Sequence, residues 1–126
     1  MSYKFKEVAS HVVLIEFTGN IGASEMASMF SEISKFTLDL GYTHKGYVKI
    51  FDMTNASILE FDVHSLVSNA PSPLADAIVV MHNNNKPLIL NLLKVVFSIT
   101  RQKIYHTSTF EEALEKAQQH LTVMGV

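Results

Sequence analysis

Apolar positions recur along this chain in two rhythms. Between Ala23 and Leu40 the residues Met26, Met29, Phe30, Ile33, Phe36 and Leu40 fall on the i, i+3, i+4, i+7 stripe of an amphipathic helix. Gly41 follows, a residue able to take positive φ where a helix stops. Elsewhere the rhythm shortens. Tyr3 to Val8 alternates, and Val12 to Phe17 is a dense β-branched and aromatic run of the kind that forms a buried strand. Ala9-Ser10-His11 can turn the chain between these two, giving a hairpin. Thr18 to Gly22 has loop chemistry.

Further strands are predicted at Gly46 to Met53, Ala75 to Met81 and Gln102 to His106. Glu60 to Asn69 reads as a short helix, which Pro71 and Pro73 keep from continuing. Asn83 to Lys86 is a loop, and Pro87 suits the first position of a helix over Leu88 to Thr100. The last helix, Thr109 to Leu121, buries Phe110, Ala113, Leu114, Ala117 and Leu121, with Ser108 and Glu111 as its capping box. The tail from Thr122 to Val126 is expected to fray. The order is ββαβαβαβα. It implies a single α/β domain over residues 1–126, with a mixed, mostly parallel five-stranded sheet and four helices. The first strand should lie antiparallel at one edge, because a short turn joins only antiparallel neighbours.

Composition narrows the function classes. The chain has 126 residues, 48% apolar and 17% charged, so it can build a core and hide or share apolar surface. The net charge of −2 gives no general attraction to nucleic acid or anionic lipid. Absent Cys removes disulfides, thiol catalysis and Cys-zinc sites. The six His show no metal-type spacing, so no metal or cofactor is implied. No apolar run reaches the roughly 18 residues of a membrane span, and no secretory h-region opens the chain, so a cytoplasmic protein is expected.

Three places could carry chemistry. Asp52, Thr54 and Asn55 stand at the carboxyl end of a predicted parallel strand, where ligands bind in open α/β sheets. The same residues can instead hold loop amides as Asx- and Ser/Thr-turns. His82 and His106 end two adjacent strands and could approach each other. Finally, Leu88 to Thr100 is apolar nearly all round, more than one sheet face requires. Its excess, centred on Leu93, Val96 and Phe97, meets another helix, another chain or an apolar ligand.

Three phrases then carry a family resemblance: VVLIEFTGNIGASEMASMF at 12–30, VKIFDMTNAS at 48–57 and KIYHTSTFEEALEKAQQHL at 103–121. With the element order and the length, they resemble the STAS domain, and more closely its SpoIIAA-like group of small bacterial proteins, sometimes grouped with Sec14-type domains. The resemblance implies a non-enzymatic regulatory module that binds a protein partner or itself as a homodimer. In the antagonist class an Asp-Ser-Ser-Gly-type phrase carries a phosphorylated serine. Laid on this chain, Asp62 matches, Val63 and His64 replace the two serines, and Ser65 stands at the glycine. The resemblance thus assigns Asp62, His64 and Ser65 to a partner-binding surface that lacks the phosphoacceptor in that register. The alternative, suggested by the Sec14 kinship and the apolar helix, is a carrier or sensor of a small apolar or lipid-like ligand. An enzyme using a His and an Asp at strand ends is the third reading.

Overall fold

The computed structural model describes residues 2–21, 23–42, 46–58, 77–81 and 102–125. They form strands β1 (Ser2–Ala9), β2 (Val12–Ile21), β3 (Val48–Ile58), β4 (Ala77–Met81) and β5 (Lys103–Thr107), with helices α1 (Ala23–Asp39) and α2 (Phe110–Met124). The sheet runs β1-β2-β3-β4-β5. β1 is antiparallel to β2 at one edge, and every other pairing is parallel. This is the predicted mixed sheet. The helices expected at Glu60–Asn69 and Leu88–Thr100 lie outside the described residues.

The central strands are apolar on both faces because both faces are covered. Val13, Ile15, Phe17, Phe51, Ile78 and Val80 join Met29 and Ile33 of α1 in one core. Val12, Leu14, Val48, Ile50, Val79 and Met81 join Ala113, Ala117 and Leu121 of α2 in the other. α1 links two parallel strands and lies on the crossover face. α2 covers the opposite face.

One predicted loop is strand. Thr18 to Ile21 pairs in parallel register with Asn55 to Ile58, so β2 and β3 both run past their expected ends. Gly19 and Asn20 are poor strand formers, but a neighbouring strand satisfies their backbone groups, and that pairing overrides local preference. β3, in turn, starts at Val48 rather than Gly46, which has φ +124 outside the strand. The hairpin turns over Ser10 and His11, and Val8 is an extra residue between the paired Glu7 and Ala9.

The predicted end of α1 holds: Gly41, at φ +90, donates its amide to Leu38 O at 2.9 Å. The closing helix differs by one residue at its start. Its N-cap is Thr109, whose hydroxyl accepts the Glu112 amide at 3.2 Å, while Glu112 Oε2 accepts the Ser108 amide at 3.4 Å. The box is therefore Thr109–Glu112, not Ser108–Glu111. Phe110 is 37% exposed and leaves the apolar face to Ala113, Ala117 and Leu121, with Leu114 partly buried against the same core. The helix also continues through the expected tail to Met124, where Gly125 at φ +79 caps it by donating to Leu121 O and Thr122 O.

Candidate functional site

β3 runs through the middle of the sheet, and its second residue is a lysine. Alternation puts Lys49 on the α1 side, with Val13 and Ile78 as its cross-strand neighbours. Only 1% of it is exposed. Burial alone pushes its ammonium down from 10.5 to about 7, so at neutral pH the amine and the ammonium are both populated. Its Nζ lies 5.6 Å from the centre of the Tyr47 ring, which offers the charged form a cation–π contact.

From Tyr47 an aromatic stack leads outward. Tyr42 lies nearly parallel to Tyr47 with centroids 5.2 Å apart, and the His11 ring lies 5.3 Å from Tyr42. His11 has φ +65, a left-handed conformation at the hairpin turn. That conformation lets its backbone serve two partners: its amide donates to the Tyr42 oxygen at 2.8 Å, and its carbonyl accepts from Val48 N at 2.9 Å. Tyr42 donates its own proton to Glu7 Oε2. Burial first, and then the Glu7 hydrogen bond, raise the Tyr42 hydroxyl to about 12. Burial likewise raises Tyr47 to about 12, against a smaller opposing effect of its hydrogen bond with Thr37.

The group Glu7, His11, Tyr42, Tyr47 and Lys49 thus joins the β1–β2 turn to the start of β3. Its chemical capacity is to hold one proton on a buried amine near neutral pH, with two tyrosines that stay protonated. Sequence reasoning passed over it. The available signal was a lone Lys49 inside the apolar run Tyr47 to Phe51.

Of the residues singled out from sequence, Asp52, Thr54 and Asn55 lie within β3, not in a loop after it. Asp52 Oδ1 accepts the Thr54 amide at 3.1 Å and the Thr54 hydroxyl at 2.6 Å. Met53 and Thr54 together oppose the single residue Phe17, so the carboxylate braces a bulge. The local turn-like role therefore holds for Asp52 and Thr54, while Asn55 is exposed and pairs with Thr18. His106 pairs with Val80, and His82 lies outside the described residues. Asp62, His64, Ser65, Leu93, Val96 and Phe97 also lie outside them.

No family model matches the chain, and no curated protein does. Solved structures do match. An uncharacterised DUF3478-family protein with a SpoIIAA-like fold, from Shewanella loihica PV-4, is 11% identical with TM-score 0.64, covering 92% of each chain. The anti-sigma factor antagonist SpoIIAA in its unphosphorylated form is 15% identical with TM-score 0.57, over 93% of this chain and 98% of that one. The Bacillus cell fate determinant SpoIIAA in its phosphorylated form is 11% identical with TM-score 0.55, over 91% and 98%. What these matches share with the chain is the fold: a mixed α/β sheet covered on both faces, of the SpoIIAA-like type.

Proposed function

We propose that this chain is a non-enzymatic regulatory module that works by binding a protein partner or a second copy of itself. The observation that carries the reading is the SpoIIAA-like fold, matched over nearly the full length of a protein described as an anti-sigma factor antagonist. Such a protein acts through its surface and not through turnover. On this reading Asp62, His64 and Ser65 form one part of the contact surface, and Leu93, Val96 and Phe97 form its apolar part. His64 stands where the antagonist class carries its phosphoacceptor, so contact here is not governed by a phosphoserine at that position.

The test is Phe97→Asp, read by sedimentation and circular dichroism together. A charge placed at the centre of an apolar contact dissociates the assembly and leaves a folded monomer. A folded variant with unchanged oligomeric state and partner binding would sink the reading. Unfolding would assign Phe97 to the core, and Leu93→Asp and Val96→Asp then repeat the test.

A further inference from the structure

We propose that the hollow between edge strand β5 and α2 binds a small, soluble phosphomonoester. Lys103 and Tyr105 stand two apart on β5 and so share the face that α2 covers. Lys116, Gln119, His120 and Val123 follow the i, i+3, i+4, i+7 spacing on the flank of α2. Together these six residues line a concavity of about 250 Å³. That is slightly under the roughly 300 Å³ at which drug-sized sites begin, so the occupant is small.

The chemistry of the lining selects an anion. Two lysines and a histidine converge, and the described lining holds no carboxylate, although the chain as a whole carries net charge −2. The nearby Glu115 is engaged by Gln119 Nε2 at 3.2 Å. The Tyr105 hydroxyl and His120 Nδ1 are 2.9 Å apart, with the rings edge to face at 5.7 Å. When Tyr105 donates, the neutral imidazole keeps its proton on Nε2, and the imidazolium keeps one there too, so Nε2 is a donor in both states. Lys103 Nζ lies 5.6 Å from the Tyr105 ring centre, which holds this long side chain against the wall of the hollow.

Two ammonium groups and an imidazole N–H match the several acceptor oxygens and double charge of a phosphoryl group better than a single carboxylate. The Tyr105 ring and Val123 supply an apolar wall for the organic part of the ester.

The experiment is a titration of the full chain with phenyl phosphate, followed by amide NMR shifts. Saturable shifts confined to residues 103–107 and 116–123 are the expected result. Lys103→Gln and Lys116→Gln, both at exposed positions, should each weaken binding by about tenfold or more while leaving the remaining spectrum in place. Three results would overturn the proposal. One is the absence of saturable shifts. Another is a response to sodium sulfate as strong as that to phenyl phosphate. The third is binding to phosphatidylserine vesicles that both variants abolish, with no phenyl phosphate response; it would make the patch a membrane contact.

Discussion

Lys49 shows what burial does to one side chain. Its folded pKa of about 7 lies below its unfolded value of 10.5, so the folded state favours the neutral amine. Below pH 7 the amine is protonated in both states, and the folded protein bears the full penalty. Between about pH 7 and pH 10 the unfolded chain binds the extra proton, so stability rises with pH. Tyr42 and Tyr47, raised to about 12, act in the opposite sense above pH 10, where the unfolded chain loses protons that the folded state keeps. The thermal midpoint is therefore expected to climb from neutral pH to a maximum near pH 10 and then fall. Lys49→Met should raise stability at pH 6 by an amount on the order of a few kcal/mol and flatten the rise, because it removes the buried charge and keeps the stem. Calorimetry across pH checks both. A Lys49→Met variant less stable than the parent at pH 6 would mean that the ammonium has a partner the protein needs.

Among the elements, α2 offers the sharpest test, because its cap sits one residue from where the sequence placed it. Thr109→Ala removes the acceptor for the Glu112 amide and should lower stability by about 1 kcal/mol. Ser108→Ala should change it by only a few tenths. Urea titration of the two variants distinguishes the boxes, and the reverse order would restore Ser108 as the cap. At the other end, Gly125→Ala meets no neighbouring atom but forces a Cβ onto a backbone at φ +79, so it should lose roughly 1 kcal/mol by the same measurement. β1 is held by a different device. Tyr3 and Phe5 stack at 5.3 Å on the α1 side, Phe5 meets Phe36, and Tyr3 donates to Glu32 of α1. Lys4 and Lys6 are exposed on this edge strand, and such charges discourage another strand from adding to it.

The whole molecule is one twofold decision: α1 on one face of the sheet and α2 on the other, with β3 between two cores. On the proposed reading, which sets His64 at the phosphoacceptor's position, protein recovered from its own cells should show an intact mass without stoichiometric phosphate. A full phosphate on Ser65 would restore a kinase-driven switch to the reading. Among the described residues no helix is long and apolar enough to cross a membrane.

The succession of the strands along the chain, the edge position of β1, the length of α1 and the glycine stop at Gly41 were all legible in the sequence. Each depends on a local property: alternation, a 3.6-residue stripe, or the freedom of one glycine to take positive φ. What the sequence did not disclose depends on contacts between distant residues. Thr18 to Ile21 becomes strand only because Asn55 to Ile58 lies beside it. The brace that Asp52 gives Thr54 exists because β3 bulges opposite Phe17. The capping motif was read one residue early: the hydroxyl that takes the Glu112 amide belongs to Thr109, the neighbour of Ser108. Lys49 looks like any strand lysine until two layers close over it, and Lys103 and Lys116 share a hollow only once α2 folds back along β5. Local periodicity determined the elements; the pairing of their backbones and the exclusion of water between their layers decided where each one ends and which side chains carry altered chemistry.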